Sequence, residues 1–275
     1  MAGLEEHYSA QDIETRILAA LRTAGLDPSR RLSPEALGAL DHFHTGGLRA
    51  SRELLELVPV RASDRVLDIG AGLGGPARLL ASGSGCRVAC LDMSADYCAA
   101  AALLNRLTGL DDRVEVHEGS ALNLPFADAS FDVVWMQNVG MNIADKRRLY
   151  GEIRRVLAPG GVFAFQEMAA GNAPVCRFPL PWATHPADSF LVSVDDMRQL
   201  LRACGLVEER LEDTSEEHLA RTAANATPAP PGQLSLAAYV DDLGRKAANA
   251  RLGLEAGELR LVRGVFRAQP REGGR

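Results

Sequence analysis

From Arg65 onward, apolar segments of two different periods alternate along the chain. Short runs that are typical of β-strands are followed by segments whose apolar residues recur every three or four positions, as in helices. Strands are predicted at RVLDI, CRVACLD, RVEVHEG, FDVVWMQN and GVFAFQE, and helices between them at GPARLLAS, SADYCAAAALLNRLTG and ADKRRLYGEIRRVL. This alternation predicts a parallel sheet with helices on both faces.

The segments on either side of this alternation indicate how the chain is organised. Residues 1–60 have helical periodicity and are predicted to form an N-terminal helical lid. Residues 61–275 are predicted to form one α/β core, with an irregular insertion at about 168–192 that covers an acceptor. Beyond the insertion we expect a short helix, a strand at LVEERLE, a helix at LSLAAYVDDLGRKAANARL and a last strand at LRLVRGVFRA.

Composition narrows the class of protein. The net charge of -6 argues against a nucleic-acid binder, although a local basic patch remains open. The five cysteines are odd in number and include no C-x-x-C pair, which disfavours a disulfide framework or a zinc cluster. No apolar run reaches the length of about 18 residues that a membrane span needs. We therefore expect a cytoplasmic protein without a membrane span and without a metal.

A glycine-rich turn follows the first predicted strand. In VLDIGAGLGG, Gly70, Gly72 and Gly75 have the spacing of a dinucleotide fingerprint, in which backbone N–H groups hold an anion. Asp68 precedes them, at the carboxyl end of the strand, where ligands of open α/β sheets bind. Its carboxylate repels the pyrophosphate of NAD and attracts the cations of S-adenosylmethionine, by about 1 to 4 kcal/mol at contact distance. The turn therefore favours the sulfonium nucleotide.

The end of the second strand carries a further nucleotide signal. Asp92 stands there and can accept both hydroxyls of a ribose, which NAD and S-adenosylmethionine both contain. Met93 follows directly and is either an adenine contact or an apolar residue at a strand end. These residues predict a ribose without choosing between the nucleotides.

Four segments in order, RVLDIGAGLGGPARLL, VACLDMS, GSALNLPFADASFDVVWMQNV and RRVLAPGGVFAFQE, resemble the successive motifs of class I S-adenosylmethionine-dependent methyltransferases. Within that class they are similar to the small-molecule branch, which includes ubiquinone, tocopherol, sarcosine and natural-product methyltransferases. The resemblance extends from about Asp41 to Gly205. It implies a Rossmann-like, doubly wound sheet of seven strands with the last strand antiparallel.

The resemblance also implies which residues bind S-adenosylmethionine and its product S-adenosylhomocysteine. Ser120 stands where many relatives have an acid that accepts the adenine amino group, which is a departure from the family pattern. The residues implied in cofactor binding are Asp68, Gly70, Gly72, Asp92, Met93, Ser120, Ala121, Leu122 and Gln137.

Candidates for the acceptor side cluster in three places: DHFHTGGLRA, MQNVGMN and the insertion with FPLPWA. His44 is favoured as an active-site residue over a helix-end histidine bonded to a carbonyl, and His42 is expected to face elsewhere. For the other two segments, a purely structural loop is the alternative. The candidate catalytic residues are His44, Gln137 and Glu167, and the candidate substrate contacts are Tyr8, Asn138, Met141, Asn142, Phe178, Trp182 and His185.

The sequence therefore predicts a methyltransferase that acts on a small-molecule acceptor through an amine, a hydroxyl or an activated carbon, in natural-product biosynthesis. A protein or cyclase that binds S-adenosylmethionine without methyl transfer is the alternative, because a fold does not fix its chemistry. An NAD-dependent oxidoreductase is disfavoured by Asp68. The sequence does not determine whether the chain forms a homo-oligomer.

Overall fold

A sheet of seven strands forms the centre of the structure, a computed structural model that describes residues 12–175, 177–224 and 232–270. The strands are β1 (Arg65–Ile69), β2 (Arg87–Asp92), β3 (Val114–Glu118), β4 (Phe131–Gln137), β5 (Leu157–Ala170), β6 (Leu206–Asp213) and β7 (Leu259–Ala268). Their order is β3-β2-β1-β4-β5-β7-β6, and β7 is antiparallel to β5 and to β6. The predicted sheet with an antiparallel last strand is confirmed.

Helices cover both faces of this sheet. They are α1 (Ile13–Thr23), α2 (Pro34–Leu37), α3 (Gly47–Leu57), α4 (Gly75–Ser84), α5 (Ala95–Thr108), α6 (Lys146–Val156), α7 (Val194–Ala203), α8 (Ser215–Ala224) and α9 (Leu243–Glu255). Short 3₁₀ turns lie at Gly140–Asn142, Pro186–Asp188 and Leu236–Ala238. None of the helices in the described ranges combines the length and the apolar character that crossing a bilayer requires.

The central strand β1 shows why the sheet is buried on both faces. Val66 packs into one hydrophobic core, and Leu67 and Ile69 pack into the core on the opposite side. All three side chains are fully buried. A strand that is apolar at successive positions, rather than at alternate ones, is typical of a parallel sheet between two helical layers.

Two predicted elements differ from the structure. The strand predicted at GVFAFQE is part of a longer strand, because β5 begins at Leu157, directly after α6 ends. The predicted helix at LSLAAYVDDLGRKAANARL is interrupted at Asp242, whose φ of 55° is outside the helical region. Its first part forms only the turn Leu236–Ala238, and α9 follows. Helix α8 was not predicted.

The N-terminal helices pack against the glycine-rich turn through a third hydrophobic core. Residues of α1, together with Leu40 and Tyr239, surround Leu73 of that turn. Beneath them, Arg78 donates to Asp41 Oδ2 at 2.8 Å, to Leu73 O at 2.5 Å and to Asn105 Oδ1 at 2.7 Å. Burial is the largest single influence on Asp41 and opposes its ionisation, but Arg78 and His42 together outweigh it and lower the pKa of this carboxyl.

Replacing Arg78 with Met is expected to destabilise the fold strongly. The substitution leaves the Asp41 carboxylate buried without its partner, since both side chains are at most 1% exposed. Loss of one member of a buried pair costs about 3–5 kcal/mol in the free energy of unfolding. Urea unfolding followed by circular dichroism measures it.

The matched control is Arg147→Met, at an exposed position of α6. Its expected effect is within about 0.5 kcal/mol. Equal free energies of unfolding for the two variants would contradict the structural role of the Asp41–Arg78 pair.

Candidate active site

A cavity of about 880 Å³ lies at the carboxyl ends of β1, β2 and β4. One half is bounded by the glycine-rich turn and by the segment 119–122. The other half is bounded by the segment 138–145, the insertion, α8 and α9. Its volume is at the upper end of the range of small-molecule sites.

The glycine-rich turn faces the cavity with its backbone. Gly70 has a φ of 66°, and a Cβ there would lie 2.3 Å from Val139 Cγ2, so this position requires glycine. Gly72 also has a positive φ, 53°, but a Cβ there would meet nothing within 4 Å among the described residues. Asp92 Oδ2 accepts the Gly72 N–H at 2.8 Å and holds the turn in place.

Asp68 is a buried carboxylate at the edge of this turn, with 2% of its surface exposed. Its Oδ2 has no hydrogen-bond partner among the residues that the structure describes. Burial, reinforced by the charge of Asp92, raises the pKa of Asp68 to about 8. The nearby Arg78 is committed to Asp41, Asn105 and Leu73. Within the described part of the chain, an ionised Asp68 therefore has no cation of its own to pair with.

The remaining residues of the predicted cofactor set lie along the same half of the cavity. Met93 is 38% exposed at the end of β2. Ser120 is exposed, and its hydroxyl accepts the Leu122 N–H at 3.2 Å. The structure brings the whole predicted set together on the cavity wall: Asp68, Gly70, Gly72, Asp92, Met93, Ser120, Ala121, Leu122 and Gln137.

A buried chain of hydrogen bonds runs from β4 to the lid. Trp135 Nε1 donates to Gln137 Oε1 at 2.9 Å, and since an indole only donates, this contact fixes the Gln137 amide. The Ser51 hydroxyl donates to the same oxygen at 2.8 Å. Ser51 Oγ, 3.0 Å from His44 Nε2, must then accept from that nitrogen. His44 therefore carries its proton on Nε2.

His44 is neutral and both of its ring nitrogens are engaged. Nδ1 lies 3.4 Å from both Gln137 Nε2 and Thr45 O, and with the proton on Nε2 it accepts from the Gln137 amide. Burial, with the neighbouring His42 as a second cause, lowers the pKa of His44 to about 3. His44 lines the cavity, as the sequence suggested, and His42 is not among the lining residues. An imidazole with this pKa is a hydrogen-bonding group rather than a proton acceptor.

The segment after β4 and part of the insertion form the floor of the second half of the cavity. Asn138, Met141, Asn142 and Trp182 line the cavity, as predicted for substrate contacts. Asn142 Nδ2 donates to Trp182 O at 2.6 Å, which ties the segment after β4 to the insertion. Trp182 Nε1 donates to Ser189 Oγ at 3.0 Å, so its indole is fixed in place.

Glu167, a predicted catalytic residue, does not line the cavity in the structure. Its Oε1 accepts the N–H groups of Val139 and Gly140, both at 2.9 Å, and its side chain is not part of the cavity wall. The strand phase explains the difference, because Gln137 pairs with Gln166 rather than with Glu167. Burial raises the pKa of Glu167 to about 7. Glu167 holds the segment after β4 from beneath.

Two residues of the insertion also differ from the prediction. Phe178 and His185 are not among the residues that line the cavity, and His185 is exposed. The insertion instead contributes Pro181, Ala187 and Phe190, in addition to Trp182. An irregular segment has no period from which its inward residues can be read. Tyr8 lies outside the described residues.

Sequence analysis missed the wall that the C-terminal helices provide. His218 and Thr222 of α8 line the cavity one turn apart, and α9 contributes Leu243, Ala247 and Leu254 among others. The start of α8 carries a signal that was overlooked. TSEE, from Thr214 to Glu217, has the spacing of a capping box.

Within residues 12–175, 177–224 and 232–270, no three or more His, Cys, Asp or Glu side chains form a group that could hold a metal ion.

Residues 67–165 match the family described as "Methyltransferase domain". The chain is 34% identical over 172 residues to glycine/sarcosine/dimethylglycine N-methyltransferase from Actinopolyspora halophila, which is 62% of this chain and 30% of that protein. It is 32% identical over 186 residues to methyltransferase GfsG from Streptomyces halstedii, which is 65% of this chain and 66% of that protein. The matches thus span less than two thirds of these relatives.

Among solved structures, phosphoethanolamine N-methyltransferase 2 from Haemonchus contortus in complex with S-adenosyl-L-methionine has a similar fold. The TM-score is 0.68 at 22% identity, and the match covers 84% of this chain and 54% of that chain. At 22% identity, this structural similarity shows a shared fold and nothing about function. Together, the domain match over residues 67–165 and the relatives, which are methyltransferases by name, confirm the resemblance of the sequence motifs to class I S-adenosylmethionine-dependent methyltransferases.

The Ser51 hydroxyl is expected to hold His44 in its neutral Nε2–H form. In the wild type, long-range ¹H–¹⁵N NMR should show the proton on Nε2 and no titration of His44 above pH 4, consistent with its pKa of about 3. Ser51→Ala leaves that N–H without its acceptor and is expected to cost about 1–3 kcal/mol of stability.

Ser82→Ala, at an exposed position of α4, is the control and should change stability by no more than about 0.5 kcal/mol. A wild-type His44 with its proton on Nδ1, or one that titrates near its ordinary pKa of about 6.5, would disprove the hydrogen-bond chain.

Proposed function

We propose that the protein transfers the methyl group of S-adenosylmethionine to a small organic acceptor. The observation that carries this proposal is Asp68, a buried carboxylate with an unpartnered oxygen beside a glycine-rich turn. Burying an unpaired charge is costly, so such a site favours a ligand that brings a positive charge. The relatives, which are methyltransferases by name, support the same reaction.

The residues of the first half of the cavity suit this nucleotide. Asp68 would attract the ammonium of the methionine part, and Asp92 would accept from the ribose hydroxyls. A Cβ built on Gly72 would meet no described atom within 4 Å, so this glycine leaves room for the ligand to approach the backbone closely. Met93 and Leu122, both on the wall, would contact the adenine. When bound, S-adenosylmethionine supplies a methyl group on a sulfonium that leaves as a neutral thioether.

In the second half of the cavity, the chain's own residues would orient the acceptor and exclude water. Met141 and Trp182 are buried and apolar, and they border the end of β4. Asn138 and Asn142 add amide groups that fix the orientation of a bound molecule. Gln137 and His44, whose protons are fixed by the chain through Ser51, would act as hydrogen-bonding groups. Positioning of this kind accounts for much of the catalysis of a displacement reaction.

The acceptor proposed is a small molecule, with an amine, a hydroxyl or an activated carbon as its nucleophile. The acidic composition and the insertion over the cavity support a small buried acceptor rather than a nucleic acid. A role in natural-product biosynthesis and a cytoplasmic location stay predictions. A protein that binds the nucleotide without methyl transfer differs in one observable, because it produces no methylated product with any acceptor.

Binding of S-adenosylhomocysteine at pH 7 is expected to release about one proton from the wild type. The pKa of Asp68 is about 8 in the empty protein, so the carboxyl is mostly protonated at pH 7. An ammonium beside it stabilises the ionised form, and the proton leaves. In Asp68→Asn the release should vanish and the affinity should fall. Isothermal titration calorimetry in two buffers of different ionisation enthalpy measures both quantities.

Asp111→Asn, at an exposed position before β3, is the matched control and should release the same number of protons as the wild type. Proton release that persists unchanged in Asp68→Asn would show that Asp68 does not face the ligand cation.

A further inference from the structure

Among the described residues, the cavity wall carries two imidazoles, His44 and His218. His44 cannot take a proton from an acceptor, because both of its nitrogens are engaged and its pKa is about 3. The phenols on the wall, Tyr97 and Tyr239, are no better placed, since burial raises the pKa of each well above its ordinary value. Of the two imidazoles and two phenols on the described cavity wall, His218 is therefore the candidate base.

The position of His218 links α8 to the end of β4. A second cavity, of about 20 Å³, shares Thr45, Gly46 and His218 with the main one, so His218 lies beside the 45–46 segment. Thr45 N–H donates to Asn138 Oδ1 at 3.4 Å, and Asn138 Nδ2 donates to Thr45 Oγ1 at 3.4 Å. Asn138 directly follows Gln137. His218 therefore lines the same small cavity as Thr45, whose partner Asn138 is the first residue after β4.

We propose that His218 is the proton acceptor for a hydroxyl group on an apolar acceptor; this inference rests on the methyl transfer proposed above. The acceptor oxygen forms the new O–C bond while the S–C bond of the methyl donor breaks. The O–H proton passes to an imidazole nitrogen of His218, and the electron pair of the broken S–C bond stays on the sulfur. The imidazolium then releases its proton to solvent.

The surroundings keep His218 neutral at neutral pH. Burial lowers the pKa of His218, the guanidiniums of Arg49 and Arg221 lower it further, and the carboxylate of Glu53 opposes them with a smaller effect. Charged groups face this region from three elements: Arg49 and Glu53 on α3, Glu217 and Arg221 on α8, and Arg263 on β7.

The apolar wall of the main cavity favours a neutral hydroxyl over an ammonium, because burying a charge without a paired group is costly. Arg49 and Arg221 line the smaller cavity and pair with Glu53, so their effect is on the pKa of His218. The neighbouring wall is apolar and buried, with Met141, Met168 and Trp182. Such a wall suits an alcohol or a phenol on a hydrophobic frame.

The test uses two probes that share one aromatic frame, 2-naphthol and 2-naphthylmethylamine. The full chain is incubated with S-adenosylmethionine, and the methylated product is measured by mass spectrometry between pH 5 and pH 9. The variants are His218→Asn and, as a matched control, His117→Asn, since His117 is also half-buried but lies outside the cavity. Asp188→Asn removes a carboxylate from the wall. Calorimetry with S-adenosylhomocysteine checks that each variant binds the nucleotide.

Supporting results are transfer to 2-naphthol and a fall of about 100-fold or more in kcat for His218→Asn. In the wild type, kcat should rise with pH through the His218 pKa, below 6.5, and then level off. His218→Asn should lose this limb, and His117→Asn should keep it. A second readout needs no turnover: 2-naphthol should shift the NMR resonances of His218 and leave those of His117 unchanged.

Several results would overturn the proposal. They are transfer to the amine in preference to the naphthol, an unchanged pH limb in His218→Asn, loss of the limb in Asp188→Asn instead, and no response of the His218 resonances. No transfer to 2-naphthol from a protein that binds S-adenosylhomocysteine also overturns it. Failure of the proposed function is distinguishable, because in that case the wild type binds no S-adenosylhomocysteine.

Discussion

The cavity depends on a buried ion pair that fastens the lid to the glycine-rich turn. Arg78, at the start of α4, reaches Asp41 in the lid and Leu73 in the turn at the same time. The two segments are in direct contact, since a Cβ on Gly75 would lie 2.3 Å from Asp41 O. The lid and the turn therefore form one wall, and the position of His44 follows from it.

Once this wall is fixed, electrostatics divides the cavity into two halves. Asp68 and Asp92 place carboxylates in the first half, where a cation is favoured. The second half is apolar, and His218 there lies near Arg49 and Arg221. The first half therefore suits a cationic ligand and the second half suits an uncharged acceptor. The two halves meet at the end of β4. The proposed methyl transfer depends on this separation, because it places the methyl donor and the acceptor in different halves of one cavity.

The sequence predicted the parts of this arrangement that depend on strand ends. Asp68 is the last residue but one of β1, and Gln137 ends β4. Parallel strands bring their carboxyl ends to one edge of the sheet, so the residues of the first half of the cavity could be predicted from the sequence pattern. The prediction for Glu167 was wrong because a shift of one residue along a strand moves a side chain to the opposite face of the sheet. His185 was misplaced because an irregular insertion has no period. His218 was missed because α8 meets the cavity only through long-range packing.

The central claim is that the pocket beside β1 accepts a cationic methionine moiety rather than a pyrophosphate. Calorimetric titration of the wild type with S-adenosylhomocysteine and, separately, with NAD⁺ compares the two ligands in one experiment. The account predicts saturable binding of S-adenosylhomocysteine and no measurable binding of NAD⁺. Saturable binding of NAD⁺ together with no binding of S-adenosylhomocysteine would contradict it.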